Sequence, residues 1–291
     1  MIKTYEGDFI KYLRNVSVKT LTSFKQTGII DHLYVLDTKL DVLNFFNNHP
    51  KCFVLGKGSN SLILDSALSI PFIKLGPSFQ AITVDHHFLH AKAGASVPQL
   101  MAFIQKNGLS GLEFMAGVPA SLGGMIAMNF GCWDICMNDI VHSVDLFIPN
   151  QGFVTYSNKQ CHFGYRTSIF QTMDCLIMGA TLCVSVSDSM LIKKTIHRYV
   201  NERLKKQPMR IATFGSIFKN PSLSPAATII ENSGFKGYQL REAKISDKHA
   251  NFMENTNHAS SQDALDLIHF IQQNVYDSFK IQLNPEVHIF Q

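Results

Sequence analysis

One stretch limits what this chain can fold into more than any other. It runs from Gly111 to Gly131, and after Glu113 it carries no charged residue until Asp134. An uncharged run of roughly twenty residues is long enough to cross a bilayer as a helix. Gly117, Pro119, the Gly123-Gly124 pair and Asn129 oppose that, because each breaks or weakens a helix and leaves polar backbone for lipid to desolvate. No basic cluster flanks the run either. What remains is a buried, tightly turning segment with little side-chain bulk. Such a segment either fills a core or lies against a ligand, since glycines permit close approach and successive turn N–H groups form anion-binding nests. Spacing alone leaves both open.

The particular residues narrow the choice. Gly111-Leu112-Glu113-Phe114, then Ala116-Gly117, Pro119, Gly123-Gly124 and Met128-Asn129-x-Gly131, resemble the flavin-binding segment of the UDP-N-acetylenolpyruvoylglucosamine reductase family. The resemblance implies an α+β protein with an FAD-binding fold of the vanillyl-alcohol oxidase and p-cresol methylhydroxylase type. It also implies noncovalent FAD, NADPH as reductant, and reduction of UDP-N-acetylglucosamine enolpyruvate to UDP-N-acetylmuramate for peptidoglycan. On this basis residues 1–185 form the FAD-binding domain, in two small lobes of roughly 1–78 and 79–185. Residues 186–291 form a C-terminal α+β substrate domain.

Composition agrees with that class. A chain of 291 residues has room for about two domains at ~150 residues each. With 46% hydrophobic and 16% charged residues it can build a large core. A net charge of +4 suits anionic small molecules and is too weak and too evenly spread for nucleic acid. No apolar stretch follows Lys3, so a signal peptide is not expected. Cys52, Cys132, Cys136, Cys161, Cys175 and Cys183 lack disulfide-scaffold density, and Cys132 and Cys136 are not spaced as Cys-x-x-Cys. Reduced thiols, no metal, no membrane, a cytoplasmic location and a monomer are the expectations.

The first lobe carries a second glycine signal. Cys52–Leu55 reads as a short strand, Leu62–Leu64 as another, with Gly56, Lys57, Gly58, Ser59, Asn60 and Ser61 between them. The loop is neither a P-loop nor a dinucleotide fingerprint opening a helix. By itself it reads as a hairpin turn. Val54-Leu55-Gly56-x-Gly58-Ser59-Asn60 resembles the family's pyrophosphate loop, with Lys57 where glycine is usual.

Periodicity places the other elements. Thr38 starts a helix with Leu40, Leu43 and Phe46 on one face, stopped by Asn47-Asn48-His49-Pro50. Strands are expected at 81–84 and 90–93. Ser96 caps a helix bearing Pro98, with Val97, Leu100, Met101 and Ile104 inward and Gly108 at its end. Residues 141–149 and 152–156 read as a hairpin, and 175–186 as strand. Asp188–Lys206 reads as a long helix near the domain boundary. Ser261–Phe279 is an amphipathic helix with Leu265, Ile268, Val275 and Phe279 inward, and residues 287–290 close the chain as a strand.

The resemblance also assigns roles. FAD would be held by Gly56, Lys57, Gly58, Ser59, Asn60 and Ser61, and by Ala116, Gly117, Val118, Pro119, Ser121, Gly123 and Gly124. Arg166, in Phe163-Gly164-Tyr165-Arg166, is always charged and suited to bidentate capture of a carboxylate or developing enolate. Ser216, in Gly215-Ser216-Ile217-Phe218-Lys219-Asn220-Pro221, would donate a proton, and Glu286 would hold the arginine or share in proton delivery. Tyr165, Lys219 and Asn220 would bind substrate. Ala120 stands where the family has glycine, and Phe130 and Trp133 differ from its usual residues, which implies a tighter flavin pocket. No long insertion separates Phe170 from Arg203, as in the shorter subtype. The N-terminal Thr22-Ser23-Phe24-Lys25 matches least. The rivals are an FAD-linked alcohol or sugar oxidase of the same fold, and a non-catalytic flavin- or UDP-sugar-binding protein.

Overall fold

The computed structural model describes residues 10–291. The chain forms two compact units and passes between them after Tyr12, Leu33, Gly56, Pro71 and Glu202. The first is built mainly from residues 34–56 and 72–202, the second from residues 13–33, 57–71 and 203–291. Contacts therefore do not divide the chain at residue 185, because two early segments gather with the C-terminal third. Pairing explains this: Ser61–Ile63 lies parallel to His288–Phe290, so distant sequence completes one small sheet.

In the first unit, helix α1 spans Lys39–Asn48 and α2 Val97–Asn107. Both open with reciprocal capping boxes, Thr38 with Asp41 and Ser96 with Gln99, and each cap contributes about 1 kcal/mol. On α2 the buried residues are Val97, Leu100, Met101 and Ile104, and Gly108 ends it in the left-handed region. On α1 the expected face is wrong. Asp41, Val42 and Phe45 are buried, while Leu40 is 62% exposed. The capping box draws Asp41 inward, and the spacing of three between residues 40, 43 and 46 drifts around a helix of 3.6 residues per turn.

The helix α3, Leu122–Ala127, and the short α4, Met137–Ile140, follow. The central sheet of this unit has the order Gly152–Ser157, Val141–Ile148, Leu176–Cys183, Phe88–Lys92, Ile82–Asp85, antiparallel throughout. Leu89, Leu146, Ala180 and Leu182 of that sheet join α2 and α3 residues in one buried cluster. A further sheet has the order Lys11–Ser17, Ile29–Leu36, Phe72–Leu75, Phe53–Val54. Phe53–Val54 pairs parallel with Phe72–Ile73, so the loop after it joins strands of different sheets and is no hairpin turn. Helix α5, Ser189–Lys206, begins where Asp188 accepts from the Met190 and Leu191 N–H groups.

The second unit has its own core of Phe24, Leu62, Phe214, Phe218 and Ile230 with residues of the two remaining helices. These are α6, Ala226–Asn232, and α7, Ser261–Phe279. On α7 the inward stripe is Ala264, Leu267, Ile268, Ile271 and Val275. Leu265 is half-buried and Phe279 is 46% exposed, correcting the expected face at the end where Lys280 turns left-handed. A three-stranded antiparallel sheet, Gln239–Leu240, Ala243–Ile245 and Met253–Asn255, packs beside α7. Among the described residues, no helix is long and apolar enough to cross a membrane.

His249 is half-buried beside this core. Its Nδ1 accepts from the Asn251 N–H at 3.3 Å, and its ring meets the Phe252 edge at 4.7 Å. Burial, with Lys236 adding to it, holds the imidazole below its usual value. Protonation thus costs more in the folded chain than in the unfolded one. The associated stability is complete above the ordinary histidine value of about 6.5 and is lost as pH falls through the lower folded value. Thermal melts from pH 7.5 downward should show the wild type losing stability faster than His249→Gln below about pH 6.5; parallel curves would exclude this.

Candidate active site

The loop after Phe53–Val54 is held from three sides within the second unit. A side chain at Gly58 would strike the Leu21 carbonyl and approach the Thr22 Cα to 2.8 Å, and Gly58 has φ +64°. Only glycine suits that position. Ser23 N donates to Gly58 O at 3.0 Å, and Ser23 Oγ donates to Thr213 O at 2.6 Å. Phe24 packs its ring on Phe214 at 4.8 Å. The least family-like segment, Thr22–Lys25, is thus a wall of the loop, and sequence reading missed it. Its signal was the near-match Thr-Ser-Phe-Lys in an otherwise polar stretch.

The third side is the C-terminal strand. Asn60 Nδ2 donates to Glu286 O at 3.0 Å, and His288 N donates to Asn60 O at 3.0 Å. Glu286 N in turn donates to Ile217 O at 2.8 Å. Ser216 forms a bridge with Phe252, and Phe218 one with Pro285. Buried Asn251 locks the Ser216–Lys219 segment: Phe218 N donates to its Oδ1 at 3.0 Å, and its Nδ2 donates to Phe218 O at 2.8 Å. Lys219 N donates to Asn284 O at 2.8 Å, and Asn220 Oδ1 accepts from Ala226 N at 3.0 Å. The structure therefore brings together Lys57 to Ser61, Ser216, Lys219, Asn220 and Glu286 in one unit. Lys219 and Glu286 are half-buried, Asn220 exposed.

The first unit holds the rest. Ser121 precedes α3 but does not cap it with its hydroxyl. That hydroxyl lies where a Gly56 side chain would sit, 2.7 Å from the ideal Cβ, and 3.6 Å from a Cβ on Gly124. Gly123 sits against Ala93, its N–H donating to Ala93 O at 2.9 Å, and Gly117 has φ +83°. Glu113 folds back, accepting from Ser110 Oγ at 2.7 Å and from Gly111 N at 2.8 Å. Ala116 N donates to Glu113 O and Val118 N to Met115 O, closing tight turns on either side of Gly117, before Pro119. Arg166 lies in a two-residue turn, with its guanidinium carbon 5.3 Å from the Tyr165 ring centre and 5.9 Å from that of Phe130. Phe130 stacks on Phe114 at 6.2 Å, and Trp133 on Tyr199 of α5 at 5.3 Å.

Two departures from the family pattern cost nothing in the backbone. Lys57 and Ala120 are absent from the residues with positive φ, so neither position demands glycine. The backbone N–H groups of Gly56 to Asn60 make no hydrogen bond within the described residues. Consecutive unused donors with an available serine hydroxyl fit a diphosphate. Among those residues, no three His, Cys, Asp or Glu side chains converge as metal ligands would.

Fold and donors together define a flavin-nucleotide-binding α+β protein: residues 39–155 match the FAD binding domain family. Residues 207–290 match the C-terminal domain of UDP-N-acetylenolpyruvoylglucosamine reductase. The reductases of Bacillus pumilus and Bacillus subtilis are each 33% identical, across 98% of this chain and 95% of theirs. The crystal structure of the Thermus caldophilus enzyme superposes with a TM-score of 0.84 at 28% identity, covering 97% of this chain and 99% of that one. The chain belongs to the UDP-N-acetylenolpyruvoylglucosamine reductase family.

The loop geometry makes a contrast testable by urea unfolding. Gly58→Ala should destabilise by at least about 2 kcal/mol, through its left-handed φ and the clash with Leu21. Lys57→Gly, at a position without such demands, should cost under about 1 kcal/mol.

Proposed function

We propose that this chain is an NADPH-dependent, FAD-containing oxidoreductase that reduces UDP-N-acetylglucosamine enolpyruvate to UDP-N-acetylmuramate, a cytoplasmic monomer serving peptidoglycan synthesis. The observation that supports the reading is the hydrogen-bonded seam from Asn60 Nδ2 through Glu286 O and N to Ile217 O, which links the Gly56–Ser61 loop to the Ser216 segment. It agrees with a division of labour in which residues 1–185 serve the flavin and 186–291 the substrate, although compactness follows other boundaries.

Bound noncovalently, FAD would supply the hydride chemistry that links NADPH to the methylene carbon of the enol ether. The chain supplies alignment and charge. The N–H groups of Gly56 to Asn60, with Ser121 and the turns at Ala116–Pro119 and Gly123-Gly124, bind the cofactor's phosphates and ring. Lys57 adds a cation at the solvent edge of that loop. Arg166 neutralises the substrate carboxylate as negative charge develops on it, and Glu286 shares in proton delivery. The Ser216 hydroxyl delivers the proton to the adjacent carbon. Tyr165, Lys219 and Asn220 bind the sugar nucleotide.

Ser216→Ala separates these roles. It removes one hydroxyl from a segment pinned through the neighbouring backbone, so FAD content should be unchanged. Stopped-flow bleaching of the flavin by NADPH should stay near wild type, while reoxidation by the enolpyruvyl substrate slows at least ~10²-fold. Equal slowing of both half-reactions would make Ser216 structural; no slowing would place the proton donor elsewhere. A purified protein that neither is yellow nor takes up FAD would sink the whole reading.

A further inference from the structure

The turn that carries Arg166 is held in a conformation its own residues do not favour. Gly164 N donates to Thr167 O at 3.0 Å and Thr167 N to Gly164 O at 3.2 Å, leaving Tyr165 and Arg166 as the two-residue turn. Arg166 has φ +54°, and Tyr165 does not share the positive sign. Positive φ at the second central position is the type II pattern, which ordinarily takes glycine or asparagine. An arginine there is strained, so surrounding contacts must over-determine it.

Two side chains outside the assigned set make those contacts. Asn129, 5% exposed, donates through Nδ2 to Gly164 O at 2.8 Å while its Oδ1 accepts from Asn138 N at 2.9 Å. Gln171 Nε2 donates to Arg166 O at 3.1 Å and to Ala127 O at 3.0 Å, and lies 3.4 Å from Met128 Sδ. Ala127 O also accepts from Ser168 Oγ at 2.7 Å. Every partner of the Gln171 amide nitrogen is an acceptor, so the position requires a donor. Both anchors sit at the C-terminal end of α3, whose N-terminal end carries Ser121 and the Gly123-Gly124 pair.

We propose that Asn129 and Gln171 are positioning residues that fix the Arg166 backbone relative to α3, so that the guanidinium is preset with respect to the flavin-side loop. This rests on the role given to Arg166 under the proposed function. Loss of either anchor lets the turn relax toward negative φ and swings the side chain. Displacements of about 1 Å cost up to 10²-fold in a step that depends on alignment.

The test uses the FAD-loaded full chain and four variants, with the two half-reactions followed separately. Gln171→Met keeps length and removes the donor without adding charge, Gln171→Lys restores a donor, and Asn129→Asp replaces the Nδ2 donor by a carboxylate oxygen and adds a charge. Arg166→Lys reports on the underlying role. Gln171→Met and Asn129→Asp should slow reoxidation by the enolpyruvyl substrate about tenfold or more. In Gln171→Met, bleaching by NADPH, FAD content and melting temperature should hold, and Gln171→Lys should recover most of the rate. Wild-type reoxidation in Gln171→Met, equal slowing of both half-reactions, or failure of Gln171→Lys to recover would overturn the proposal. If Arg166→Lys slows reoxidation and Gln171→Met does not, only the positioning role falls. If Arg166→Lys leaves reoxidation unchanged, the role of Arg166 falls, and the positioning role with it.

Discussion

At Gly58 in the second unit, the absence of a Cβ lets the loop press against Leu21 and Thr22. Much follows from it. With the loop seated there, Ser23 reaches both Gly58 O and Thr213 O, and Asn60 meets Glu286 across 226 positions of sequence. Residues that the proposed function assigns to one reaction are thereby joined through hydrogen bonds to the main chain of Glu286 and Asn60. Such non-local pairing is costly in loop entropy. The chain recovers that cost by burying Phe24, Leu62, Phe214 and Val287 in one cluster directly behind the seam.

A comparable economy appears in the first unit. Helix α3 is only six residues long, yet its two ends serve different purposes. Its start presents Ser121, Gly123 and Gly124, which the proposed function gives to the flavin. Its end supplies the carbonyl and side chain that tie down the turn of Arg166. So short a helix has little intrinsic stability. Its rigidity comes from Leu122, Met125 and Ile126, all buried, and from backbone bonds to Ala93 and Ala95.

Much of this was legible in the residues. The helix from Val97 to Asn107 was read with its cap, its inward face and its terminating glycine, because all three signals are local. The faces of α1 and α7 were misread at Leu40 and Phe279, since spacing alone does not tell which side the rest of the chain covers. The partner of Ser61–Ile63 was invisible: two apolar triplets give no sign that they pair in parallel across the chain. For the same reason, nothing in Thr22–Lys25 signals its place against Gly58. At Lys57 and Ala120, where the family usually has glycine, the φ values admit a side chain. The candidate residues came from family likeness, while Asn129 and Gln171 became visible only through what they touch.

The interleaved course of the chain bears on how such a protein is made. A ribosome delivers residues 13–33 and 57–71 well before residues 203–291, so those early segments wait for their partners while the segment up to residue 202 is still being synthesised. During that interval Phe24 and Leu62 have no core to enter, and apolar groups left waiting are where nascent chains aggregate. The first unit, largely complete once residue 202 has emerged, can gather around its antiparallel sheet before the second does. Birth order and spatial order thus run in opposite senses: what is translated first is among the last to be buried.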